Sequence, residues 1–141
     1  MNKDIVTKLI VMANEARNNS YCPYSSYSVG AALLTKEGEV ITGVNVENAS
    51  YGATICAERG AIMKAVSMGY RKFDAIAIVG GKMGEKSTSY AYPCGVCRQV
   101  LREFTDPEKF QVIVAIDDEL YEAYTLNELL PHSFGPEQLD V

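Results

Sequence analysis

A chain of 141 residues with 48% hydrophobic and 22% charged residues has the balance of one globular domain with a sizeable core. Its net charge of -5, with 13 Lys and Arg scattered rather than striped, disfavours nucleic acid or any partner held by phosphate neutralisation. The longest apolar run is far short of the roughly 20 residues of a membrane span, and Met1-Asn2-Lys3-Asp4 lacks the basic-then-apolar layout of a signal peptide, so a cytoplasmic protein with no membrane partner is expected.

Residues 3 to 18 predict an amphipathic helix capped by Asn2, with Ile5, Leu9, Met12, Ala13 and Ala16 on the apolar side. Asn18-Asn19-Ser20 breaks it. Tyr21 to Tyr27 is a tyrosine-rich loop, suited either to stacking on a planar ligand or to filling a groove. Val29 to Thr35 is apolar without alternation, as in a strand covered on both faces, and Lys36-Glu37-Gly38-Glu39 turns the chain into a second strand, Val40 to Val44. The polar stretch Asn45 to Gly52 follows. In an extended backbone Asn45 and Glu47 point the same way, and an amide beside a carboxylate suits the vicinal hydroxyls of a ribose; turn chemistry with a capping asparagine is the plainer alternative.

Ala53 to Met68 predicts a helix with Cys56, Gly60, Met63 and Ser67 along one side, Ala57, Ala61, Ala65 and Met68 beside them, and Gly69 as its stop. Phe73 to Val79 is a third strand. Residues 80 to 88 form a connection that fails the phosphate-loop pattern, because Glu85 stands where the second glycine is needed. A helix from Cys94 to about Phe104, a break at Asp106-Pro107 and a strand from Phe110 to Ile116 come next. After a turn at Asp117-Asp118, a short fifth strand from Tyr121 to Thr125 leads into a helical turn, Leu126 to Leu130. This order implies an α/β fold: a three-layer α/β/α sandwich around a mixed sheet of about five strands. Right-handed crossovers then bring the helix starts at Cys56 and Cys94 to one edge.

Four cysteines are too few for a disulfide scaffold. Cys94-Gly95-Val96-Cys97 puts two thiolates within reach of one point at a helix start, where the unpaired N–H groups favour the thiolate form. With Cys56 as a third ligand and Glu58 close by, the result is a hydrolytic zinc centre with a position left for water. With Cys22 added, it is a closed structural knot. A thioredoxin-like redox pair is the remaining alternative, and it leaves Cys56 without a role. Three thiolates on Zn2+ carry a net charge of 2 - 3 = -1, so the hydrolytic reading needs nearby positive charge: two helix N-termini supply part of it, and Arg59 is expected to supply more by hydrogen bonding to a cysteine sulfur.

Cys56-Ala57-Glu58-Arg59 together with Pro93-Cys94-Gly95-Val96-Cys97-Arg98-Gln99 resembles the paired zinc motif of cytidine deaminases, in the small homotetrameric class. The likeness runs from Tyr24-Ser25-Ser26-Tyr27 through Gly43 to Tyr51 and on to Glu128-Leu129-Leu130-Pro131 and Phe134, so it covers nearly the whole chain. It implies one catalytic domain over residues 1–141 that hydrolyses cytidine and deoxycytidine to uridine and deoxyuridine, releasing ammonia, in pyrimidine salvage. The implied ligands of Zn2+ are Cys56, Cys94 and Cys97, with Glu58 as proton carrier. Asn45 and Glu47 match the positions that hold the ribose hydroxyls, the backbone at Ala57 matches one that meets the base, and Tyr27 stands where many members carry phenylalanine. Phe134, and with it Tyr51, matches aromatics that reach a neighbouring subunit's site, which implies a homotetramer. Blasticidin S deaminases resemble the family in size and zinc motifs but lack the Asn45 to Asn48 stretch. His132 matches no ligand position.

Overall fold

The structure is a computed structural model that describes residues 1–139. Its strands are β1 (Tyr27–Thr35), β2 (Val40–Val44), β3 (Phe73–Lys82), β4 (Gln111–Ala115) and β5 (Tyr121–Thr125). Its α-helices are α1 (Lys3–Ala16), α2 (Ala57–Ser67), α3 (Gly95–Glu103) and α4 (Leu126–Leu129). The strands form one sheet in the order β2-β1-β3-β4-β5, in which β3 and β4 pair parallel and the other neighbours antiparallel.

Alternate residues of the central strands serve opposite faces. Ala32, Ala75, Ala77, Val79, Ile113 and Ala115 pack under Val6, Leu9, Ile10 and Ala13 of α1. On the other face, Leu33, Ile76, Ile78, Val112 and Val114 meet Ala57, Ala61, Ile62 and Ala65 of α2 and Leu101 of α3. The three layers and the mixed five-stranded sheet are those the sequence implied. Among the described residues, no helix is long and apolar enough to cross a membrane.

The departures have local causes. The buried stripe of α1 is centred on Val6 and Ile10, leaving Ile5 exposed, and the helix tightens after Ala16 into a 3-10 turn that carries a buried Arg17. Helix α2 starts at Ala57 rather than Ala53. Val46 and Ile55 exchange backbone hydrogen bonds of 2.9 and 3.0 Å, which holds the chain extended until Cys56. Met63 and Met68 are exposed, and Ile62 takes the core position. Strands β1 and β3 are both longer than expected, because Tyr27, Ser28 and Val29 pair with Lys82, Gly81 and Gly80. Gly80-Gly81 is therefore strand and not loop.

Since β2 and β3 both run antiparallel to β1, they run parallel to each other, and α2 and α3 each leave the carboxyl end of one of them. Gly43 allows β2 to lie directly against α2: a Cβ there would overlap the backbone of Ala57 and Ala61.

Candidate metal centre

Cys56 and Cys94 are the residues immediately before α2 and α3, each in extended backbone, and Cys97 lies in the first turn of α3. The Cys56 and Cys94 sulfurs are 3.9 Å apart and those of Cys94 and Cys97 are 3.5 Å apart, with all three within 4.8 Å of one another. Zn–S bonds of about 2.3 Å at tetrahedral angles require sulfur separations of about 3.8 Å, so the cluster fits zinc. The spacing is far beyond a disulfide's bond length of about 2 Å, and all four cysteines are free. Cys97 is buried, Cys56 half-buried and Cys94 exposed, so the cluster opens to solvent on the Cys94 side. Cys22 is buried and stands outside the group, which removes the closed four-cysteine alternative.

The electrostatics suit a cation. The Cys56 thiol is pulled down to about 5, first by its hydrogen bond with Cys97 and also by Arg59 and Cys94. Cys97 is pushed up, first by that same bond and then by burial and the facing Glu58 charge. Without a cation the Cys56 thiolate is stabilised first by the Cys97 thiol and then by the Arg59 guanidinium. Arg59 donates through Nη2 to the Cys56 sulfur at 3.5 Å and to the Thr54 carbonyl at 3.4 Å, which raises its own affinity for protons. Its Nε is buried and has no partner among the described residues.

Glu58, in the first turn of α2, is only 4% exposed. Burial pushes its carboxyl up to about 7, opposed by its own backbone N–H, the Cys97 thiol and the Arg59 charge. A buried carboxyl with that proton affinity beside three converging sulfurs can accept and return protons near neutrality.

Asn45 is buried and already engaged: its Oδ1 accepts from the Val29 N–H at 2.9 Å and from the Ser20 hydroxyl, and its Nδ2 donates to the Tyr27 carbonyl at 2.8 Å. Glu47 accepts from the Tyr24 and Ser25 N–H groups at 2.9 and 3.1 Å and from the Ser25 hydroxyl. It lines a cavity of about 420 Å³ with Tyr24, Ser25, Tyr51 and Thr54. Ala57 is fully buried at the start of α2. The Tyr27 ring lies against Gly80, where an added Cβ would strike both that ring and the Ala91 side chain. Phe134 is 56% exposed on the C-terminal segment, and Tyr51 is 77% exposed.

Two supports were not anticipated. Arg98 donates to the Pro93 carbonyl at 2.7 Å and to the Leu129 carbonyl at 2.6 Å, fixing the residue before Cys94 to the end of α4. Glu122 on β5 accepts from Tyr92 and Tyr124 at 2.7 and 2.8 Å and tethers the same loop from the other side. Arg98 sits in the basic run after the cysteine pair and so had a signal in the sequence. Glu122 had none, because Tyr124 lies two residues on along β5 but Tyr92 is 30 residues away in sequence.

Fold and site together define an α/β protein in which three cysteine sulfurs converge at the starts of two helices, at separations that suit zinc, beside a buried carboxyl. The chain belongs to the family of the cytidine and deoxycytidylate deaminase zinc-binding region, whose model matches residues 3–114. It is 42% identical to a probable cytidine deaminase of Dictyostelium discoideum, across 99% of this chain and 90% of that protein. The crystal structure of cytidine deaminase from Burkholderia pseudomallei superposes with a TM-score of 0.81 at 43% identity, covering 90% of this chain and 97% of that one. A blasticidin-S deaminase of Bacillus cereus matches over less, at 36% identity across 76% of each chain.

Proposed function

We propose that the chain is a zinc-dependent enzyme that hydrolyses cytidine and deoxycytidine to uridine and deoxyuridine with release of ammonia, the whole of residues 1–141 acting as one catalytic domain. The observation that carries this reading is Glu58: a buried carboxyl with its proton affinity raised, set beside three sulfurs at zinc-binding separations. Support for the substrate comes from the family and from cytidine deaminases at about 40% identity over nearly full length.

Cys56, Cys94 and Cys97 hold the metal, and Arg59 offsets their negative charge through its hydrogen bond to Cys56. Zinc held there supplies a Lewis acid that makes water acidic enough to be deprotonated near neutral pH. Glu58 takes one proton from the attacking water and delivers it to the pyrimidine N3, then takes the second from the hydroxyl now on C4 and passes it to the departing amino group, which leaves as ammonia while C4 becomes the uridine carbonyl. The Ala57 backbone meets the base, and the Tyr27 ring packs along it. Asn45 has one amide N–H uncommitted, and the Glu47 carboxylate has one of its roughly four acceptor positions left. Those remaining groups hold the ribose hydroxyls.

Phe134 completes the site of a second copy in a homotetramer, with Tyr51 reaching across in the same way; their exposure supports this. The net charge of -5 favours a free nucleoside over nucleic acid. Four free thiols, three of them converging, suit the reducing cytoplasm and a place in pyrimidine salvage.

The test is loss of cytidine absorbance in wild type and Glu58→Gln, with zinc measured in both. The expected result is equal zinc and a fall in kcat of about 10²-fold or more in Glu58→Gln, the range of general acid–base contributions. Equal turnover in the two proteins would overturn the role of Glu58.

A further inference from the structure

Helix α3 carries two of the cluster's sulfurs at its start and a row of polar side chains further on. Of these, Arg102 is only 8% exposed although it bears a permanent charge. Its Nε donates to the Ser133 hydroxyl at 2.8 Å, and its Nη2 pairs with the Glu137 carboxylate. Gly135 is buried against the guanidinium, where a Cβ would overlap it. One turn earlier on the same helix, Gln99 donates to the Phe134 carbonyl at 3.0 Å. The chain reverses at His132, whose φ is 52°, and closes with hydrogen bonds between Gly135 and Gln138. Ser133 and Gly135 are thus held inward while the Phe134 ring between them stays exposed. Burying a guanidinium needs a purpose beyond packing, since an apolar side chain would fill the space at lower desolvation cost.

We infer that Arg102 is a positioning residue: it fixes residues 133–137 so that the Phe134 ring is presented outward in one orientation to a second copy's nucleoside site. This rests on the reading of Phe134 given under Proposed function. A ring held in advance loses less freedom on contact, so the benefit falls on substrate affinity and not on the chemical step.

The experiment compares Arg102→Met, Glu137→Gln, Phe134→Ala and the double variant Arg102→Met/Phe134→Ala. KM and kcat for cytidine, zinc content, and hydrogen exchange at the Gly135 and Gln138 amides are measured for each. Both Phe134→Ala and Arg102→Met are expected to raise KM roughly tenfold with kcat and zinc little changed, the scale of one aromatic contact. The double variant should be no worse than either single one, and exchange at the two amides should rise in Arg102→Met. Glu137→Gln, which leaves the guanidinium in place should Arg102→Met fold poorly, should show the same pattern in smaller measure. Unchanged exchange in both clamp variants, or a KM effect of Arg102→Met that persists in full on top of Phe134→Ala, overturns the role of Arg102. An unchanged KM in Phe134→Ala together with faster exchange in Arg102→Met overturns the neighbouring-site reading and leaves the clamp standing.

Discussion

Asn45 and Glu47 show how one residue can organise a site before any ligand arrives. Asn45 ties the start of β1 to the end of β2 through the Val29 N–H and the Tyr27 carbonyl. Asn45→Ala leaves these half-buried groups without that partner, so a loss of about 1–2 kcal/mol is expected in urea denaturation, whether or not nucleoside is present. Glu47 gives a pH-dependent counterpart. The Ser25 hydroxyl, followed by two backbone N–H groups, holds its carboxyl below the usual range. A depressed folded pKa contributes stability above the unfolded carboxylate's value, about 4.3, and that stability fades as pH falls through the folded pKa. Ser25→Ala removes the largest cause. Wild type should exceed Ser25→Ala in denaturation midpoint at pH 6, and the gap should shrink as pH drops below 4; a gap that stays constant into acid would refute this.

Among the elements, α2 is the one whose seat matters most. Its N-terminus carries Cys56, Glu58 and Arg59, and its body touches β2 where Gly43 has no side chain. A methyl group there meets helix backbone and not a flexible side chain, so the helix must move. Gly43→Ala is expected to cost about 1–3 kcal/mol, the usual range for overpacking, and to weaken zinc retention against a chelator. Unaltered zinc retention would show that the seat of α2 does not set the cluster. The elements themselves were largely legible, because α3, β2 and β5 have period and punctuation of their own. Helix α2 is shorter than its sequence pattern implies, since the pairing of Val46 with Ile55 that keeps Thr54 and Ile55 extended is invisible to helical periodicity. Gly80-Gly81 looked like a loop because glycines mark turns, whereas here they admit the Tyr27 ring on one side of the sheet and the Arg17 guanidinium on the other. The cysteines and Glu58 were legible as a motif. Arg98 stands out in its basic run, but its bond to Leu129, 31 residues away, and the bond of Glu122 to Tyr92, 30 residues away, were not legible.

For the whole molecule, the metal position lies where two helices, each fed by a different strand, meet at one edge of the sheet. Removing the metal should therefore lower the melting temperature and raise hydrogen exchange first at residues 54–60 and 93–99, by the linkage that makes binding free energy part of folding free energy. A melting temperature indifferent to chelation would mean that the fold holds the three sulfurs together unaided. The Cys56 and Cys94 sulfurs come from positions 38 residues apart. A metal shared between them acts on the unfolded chain as a removable cross-link closing a loop of that length. Loop-closure entropy alone values such a link at about 4 kcal/mol. Cys94 and Cys97, being local, can capture the ion while the chain is still open, and Cys56 can join only after the β3 crossover has formed. Metal added before refolding then joins the folding pathway itself, waiting at Cys94 and Cys97 to lock the β2-β1-β3 pairing that carries Cys56 to it.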